Sequence, residues 1–137
     1  MNYKKFQSQR VWFHLLTTPF IWLPLIALLL LDILVTLFQT VCFPIYRIEK
    51  VKRSAYILIM DRAKLAYLNP FEKLSCMYCG YSNGFLLYAK EIAGRTEKYW
   101  CGIKHEVTPG FKPQADQEER DFARFGDEAD FHKKYGA

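Results

Sequence analysis

From Phe20 to Phe43 the chain reads FIWLPLIALLLLDILVTLFQTVCF, twenty-four residues that carry a single charge, Asp32. About 20 apolar residues in helical form cross a ~30 Å hydrocarbon core, so this run is long enough to span a bilayer with some tilt. Its borders have helix chemistry. Thr17 or Thr18 is placed to cap free N–H groups, Pro19 suits a first helical turn, and Pro44 supplies a stop. These signals set a transmembrane helix at residues 19–43, with Pro24 as a slight kink in its second turn. Trp12, Phe13, Trp22 and Tyr46 fall where aromatic side chains anchor at the lipid–water interface. A cleaved signal peptide is the rival reading, given the basic start MNYKKFQSQR, but the run is too long for a signal core and no small-x-small site follows it.

Asp32 lies at the middle of the span, where a charge costs about 2.5–3.5 kcal/mol on insertion scales, so something must compensate it. Thr36, Gln39 and Thr40 follow at four, seven and eight residues and share its helix face. Such a stripe on a lipid-facing helix calls for a partner helix, either a second copy or another membrane protein. The expected contact residues are Asp32, Thr36, Gln39 and Thr40.

Charge is uneven beyond the span. Residues 1–105 hold fourteen Lys/Arg against six Asp/Glu, and residues 106–137 hold five against eight. Arg47, Lys50, Lys52, Arg53, Arg62 and Lys64 crowd the stretch after the span, against Lys4, Lys5 and Arg10 before it, which places the C-terminal body in the cytoplasm. Arg47, Lys50, Lys52 and Arg53 stand beside the apolar run, so anionic lipid headgroups are nearer partners than nucleic acid. Within this linker, residues 44–69, the run Ala55–Met60 fits a helix along the membrane or a strand equally well. Asn69-Pro70 reads as a turn.

The cytoplasm keeps thiols reduced, which turns attention to metal binding at Cys76, Cys79, Cys101 and His105. Cys76-x2-Cys79 followed by Gly80 and Tyr81 resembles the first knuckle of rubredoxins and zinc ribbons, in which the glycine turns backbone N–H groups toward the sulfurs. The second half, Cys101-Gly102-Ile103-Lys104-His105, departs from that pattern by offering Cys-x3-His. A Cys3His set suits a closed tetrahedral zinc, with iron as the alternative and with no open position for hydrolytic water. Free cysteines that serve only packing are a second reading, and redox-active thiols at Cys76 and Cys79 a third. A shared metal has a geometric condition. One straight helix between the pairs would hold them about 25 Å apart, so the chain must reverse at Gly94. The expectation is a cap at Asn83, a segment from Phe85 to Ile92 bearing the Glu91–Arg95 pair, and a return from Glu97 to Cys101. Cys42 is read as a buried apolar residue, and His14 as structural.

After His105 the chain is charged but interrupted by Phe111, Phe122, Phe125, Phe131 and Tyr135. Five aromatics in a tail point to docking on its own domain or on a partner. Phe122 and Phe125 share a helical face that Gly126 ends. His132, beside Lys133 and Lys134, is read as a surface residue.

Five regions result: a basic, aromatic flank (1–18), the transmembrane helix (19–43), a basic linker (44–69), a Cys/His knuckle domain (70–105) and a charged aromatic tail (106–137). The fold class expected is a single-span membrane protein with a small α-rich domain, strands being possible. Its expected work is that of an accessory or assembly subunit, with a membrane-tethered redox protein using Cys76 and Cys79 as the alternative. No nucleophile–base or carboxylate pair stands out for catalysis.

Overall fold

The structure is a computed structural model that describes residues 11–112 and 115–136. It is helical, with no strand among the described residues. Helix α1 runs Val11–Ile45 and helix α2 runs Pro70–Trp100. Two short helices follow in the tail, α3 at Ala115–Glu119 and α4 at Glu128–Tyr135.

Helix α1 extends past both expected borders. Pro19, Pro24 and Pro44 all lie inside it, and Thr17 donates its hydroxyl to the Phe13 carbonyl at 2.8 Å instead of capping the helix. The helix continues through all three prolines, each of which removes one N–H donor from its ladder. Its segment Leu15–Ile45 is long and apolar enough to cross a membrane, with a mean hydropathy of 2.6.

Helix α2 contains the main departure from expectation. It starts at Asn69, whose side chain accepts from Glu72 N at 2.8 Å while the Glu72 carboxylate accepts from Asn69 N at 2.9 Å. Pro70 fills the first turn, where a missing N–H is harmless. The helix then runs unbroken through Asn83 and Gly94, so neither the cap nor the reversal expected at those residues exists. Asn83 instead donates to the Cys79 carbonyl at 2.9 Å, in mid-helix. Phe85, Tyr88, Ile92 and Tyr99 recur near helical spacing; the first three are buried, whereas Tyr99, at the end of the helix, is exposed, and Arg95 bonds Glu91 at 2.8 Å.

The two long helices lie side by side and point the same way. Trp22 meets Tyr78, Asp32 meets Tyr81, Gln39 meets Tyr88, and Tyr46 meets Tyr99 and Trp100. Both residue numbers rise together along the contact, which defines a parallel pair. The connection, residues 46–69, must therefore return along the full length of that pair. It does so as extended chain with two 3₁₀ turns, Arg53–Ala55 and Arg62–Lys64; Ala55–Met60 forms neither of the elements expected for it.

Glycine makes the return possible. A Cβ at Gly80 would stand 2.7 Å from the Leu58 carbonyl oxygen, and one at Gly84 would stand 2.5 Å from the Tyr56 oxygen and 2.9 Å from the Ile57 Cα. The crossover backbone sits directly on this bare strip of α2. Phe43, Val51, Tyr81, Phe85, Tyr88 and Ile92 form the core beneath it, with Leu25, Leu28 and Val35 of α1 packed against them.

The tail docks on the last turns of α2. Ala123 N donates to the Gly102 carbonyl at 2.7 Å and Lys104 N to the Ala123 carbonyl at 2.8 Å, a single parallel bridge. Phe122, Ala123 and Gln117 are buried, and Lys98 Nζ lies 5.3 Å and 5.0 Å from the ring centres of Phe122 and Tyr135.

Candidate functional site

The polar stripe of α1 is taken up by the chain itself. Arg53 of the crossover forms a two-pronged ion pair with Asp32, Nη2 lying 2.6 Å from Oδ2 while Nη1 bonds Oδ1. The Tyr81 hydroxyl of α2 donates to Oδ2 at 2.8 Å, and Thr36 donates to Oδ1 at 3.3 Å. An ionised carboxylate has about four acceptor positions, and these donors fill them. Asp32 is thus fully hydrogen-bonded within the chain and links α1 to the crossover and to α2.

Gln39 performs the same service seven residues on. Its carbonyl oxygen accepts from Val51 N at 2.6 Å and its amide donates to the Tyr88 hydroxyl at 2.9 Å. One side chain thus ties α1 to the crossover and to α2. The Arg53 guanidinium also lies 5.7 Å from the centre of the Tyr88 ring, within cation–π range. Thr40 donates to the Thr36 carbonyl at 2.7 Å and remains exposed.

The compensation that Asp32 requires comes from the same chain, because the returning crossover and α2 cover its helix face. Arg53, grouped with the lipid-facing cations, turns inward to supply it; Arg47, Lys50 and Lys52 remain exposed.

The four expected metal ligands do not meet. Cys79 and Cys101 are separated by twenty-two residues of continuous helix and its cap, about 33 Å at 1.5 Å per residue. No single ion reaches both. Cys76 and Cys79 stand one turn apart in the body of α2, half-buried and exposed. Cys79 opens onto an apolar cleft of about 610 Å³ lined by Leu15, Ile21, Trp22, Phe71 and Tyr78, among others. Cys101 caps α2 and is exposed, its N–H bonded to the Glu97 carbonyl at 2.8 Å. His105 packs edge-on against Phe111 with Nε2 3.6 Å from Glu97. Among the described residues no three His, Cys, Asp or Glu side chains gather as a metal site. The one-chain Cys3His knuckle is therefore not shown: Gly80 packs against the Leu58 carbonyl of the crossover, and the helix runs unbroken through Gly94.

A second polar cluster fastens the tail. Glu91 bonds both Arg95 and Arg120, and Gln117 donates to Glu97 at 2.8 Å. Partial burial works to raise the Glu91 pKa, but the Arg95 hydrogen bond and the charges of Arg120 and Arg95 outweigh it and hold the carboxyl below its ordinary range. Lys134 bonds Asp121 at 2.8 Å and the Phe122 carbonyl at 3.0 Å, which lowers Asp121 and raises Lys134. Asp130 is lowered first by the Arg124 backbone N–H, at 2.9 Å, and then by Lys134.

No protein-family model, curated protein or solved structure matches this chain.

Proposed function

We propose that the protein is a membrane-held accessory subunit, whose work is to present a rigid helical surface to another membrane protein. The observation that supports this most is the contrast between the two sides of α1. One side is tied to the crossover and α2 by saturated hydrogen bonds, and the other exposes an uninterrupted apolar surface. Asp32 and Gln39, the buried polar side chains of α1, are engaged in holding the helices together, which suits binding better than turnover. The surface offered to a partner lies at the C-terminal end of α2, where Tyr99, Trp100 and Phe125 are exposed beside the charged tail. Cys76 and Cys79 lend less support to the redox alternative, because they sit beyond the first turn of α2 and outside the field of its N-terminus.

The test is purification of the full chain from its own membranes in mild detergent, with a photo-crosslinking residue at Trp100 and another at Asn83. Retention in the membrane after a high-salt wash, with one defined membrane-protein adduct from Trp100 and none from Asn83, is the expected result. Release by salt, or adducts of equal yield from both positions, would contradict the reading.

A further inference from the structure

We infer that α1 lies along the plane of the membrane, with its exposed side in the lipid and the crossover and α2 as a water-facing roof, instead of crossing the bilayer. This rests on the membrane reading above and concerns how the membrane is engaged.

The argument starts from the level at which each residue sits along α1. A ~30 Å hydrocarbon core takes in about 20 helical residues. Every 20-residue window of Leu15–Ile45 contains Asp32. Its depth is therefore also the depth of Arg53, which is bonded to it, and of the adjoining Lys52 and Ser54. Arg53 is 43% exposed in its side chain, and Lys52 and Ser54 are exposed as well. Crossing would thus place one exposed cation and one part-exposed cation in hydrocarbon, beside a carboxylate that neutralises only one of them.

The backbone raises the same objection independently. Residues 56–60 return along α2, against Gly80 and Gly84, as non-helical chain, and Leu58 and Met60 of this stretch are exposed. Irregular backbone is not tolerated facing lipid at membrane depth, where unsatisfied N–H and C=O groups each cost several kcal/mol. Helix α2 cannot be removed to the aqueous side either, because its contacts run from Tyr78 at Ile21 to Tyr99 at Tyr46. A membrane helix followed by a separate soluble domain is excluded by those contacts.

Turning α1 into the plane resolves both conflicts. Phe20, Leu23, Ile26, Leu30, Ile33, Leu37, Val41 and Ile45 recur every three or four residues and are all exposed. They form an uncharged ridge about 37 Å long, suited to lie at the boundary between headgroups and acyl chains. Exposed Arg47, Lys50, Lys52, Arg62 and Lys64 belong to the crossover, spread along the same length, where anionic headgroups are within reach. Helix α1 alone is apolar all round. The roof converts it into one half of an amphipathic body.

Two measurements on the full chain test this. Polarised infrared spectroscopy on oriented bilayers of mixed zwitterionic and anionic lipid reads the tilt of the α1–α2 pair with no substitution. Helix axes close to the bilayer plane are expected, and a tilt within about 45° of the normal, toward the ~20° of spanning helices, would overturn the inference. Single cysteines at Lys5, Lys50, Lys64 and Glu128, in a chain whose four native cysteines are replaced by serine, are then labelled with a membrane-impermeant maleimide in sealed vesicles. All four should react from one side. Opposite sidedness of Lys5 and Lys50 would show that α1 crosses and overturn the in-plane reading alone. Failure of the unaltered chain to sediment with the vesicles would instead overturn the membrane reading on which it rests.

Discussion

The helix pair and the tail differ in how far they depend on charged pairs. Between α1 and α2, the buried side chains of Asp32 and Gln39 are hydrogen-bonded to Arg53, Tyr81, Tyr88 and the Val51 N–H. In the tail, Phe122, Ala123 and Gln117 are buried, and the rest of the fastening is ionic: Arg120 to Glu91, Lys104 to Glu118, and Lys134 to Asp121 and Asp130. Buried networks are strong but unforgiving, because removing one member strands the others away from water. Exposed pairs are individually weak and respond to pH and salt. The chain should accordingly come apart in two stages, tail first.

The largest expected effect comes from filling the bare strip of α2. Gly84→Leu should destabilise the helix pair by about 3 kcal/mol or more, since the atoms in the way are the Tyr56 and Ile57 backbone and cannot rotate aside. Thermal unfolding in detergent reads the loss, and a variant as stable as the parent would break the packing account. Asp32→Ala should cost about 2–3 kcal/mol, below the 3–5 of a fully buried pair, because the Arg53 side chain is 43% exposed. Joint replacement, Asp32→Leu with Arg53→Met, should recover most of that. Additive losses in the double variant would mean that the two residues do not interact.

These two predictions also show what the sequence discloses. The need for a partner to Asp32 is legible, because a mid-span carboxylate is costly wherever it occurs. The identity of that partner is not legible, since nothing local distinguishes Arg53 from Lys50 or Lys52, twenty-one residues or fewer away. The start of α2 was legible in Asn69-Pro70-Phe71-Glu72, a capping box with proline at the first position, and it extends the helix thirteen residues before the expected cap. Cys76, Cys79 and Gly80 drew the reading toward a knuckle. Yet Gly80 and Gly84 are also four apart, the spacing of a smooth helix face, and only the path of the crossover decides between the two. The core spacing of Phe85, Tyr88 and Ile92 needed no tertiary knowledge, because helical periodicity alone places them together.

Acidification should sharpen the contrast at the other end. Glu91, Asp121 and Asp130 each have a folded pKa below the ordinary carboxylate value, so each adds stability above its unfolded pKa. That stability is lost as pH falls through the folded values. Protection from hydrogen exchange at Ala123 and Lys104, whose N–H groups make the tail bridge, measured against the intrinsic rate at each pH, should therefore fall below about pH 4 while protection in the middle of α2 is kept. Simultaneous loss of both would join the tail and the helix pair into one unit. The smallest effects are expected at the dispersed ligands: Cys101→Ser and His105→Ala should each change stability by less than about 0.5 kcal/mol and leave metal content unaltered. A stoichiometric metal lost in either variant would restore the shared site.

The central claim, that α1 and α2 lie side by side in parallel within one chain, is tested most directly by a chemical crosslink across their first contact. The Trp22 and Tyr78 ring centres are 5.1 Å apart, so cysteines in their place lie within reach of a short bifunctional thiol reagent. Trp22→Cys with Tyr78→Cys, in a chain whose native cysteines are replaced by serine, should be bridged within one molecule by a short bis-maleimide in native membranes. A dimer-sized product in place of the internal crosslink, or no crosslink at all, would contradict the account.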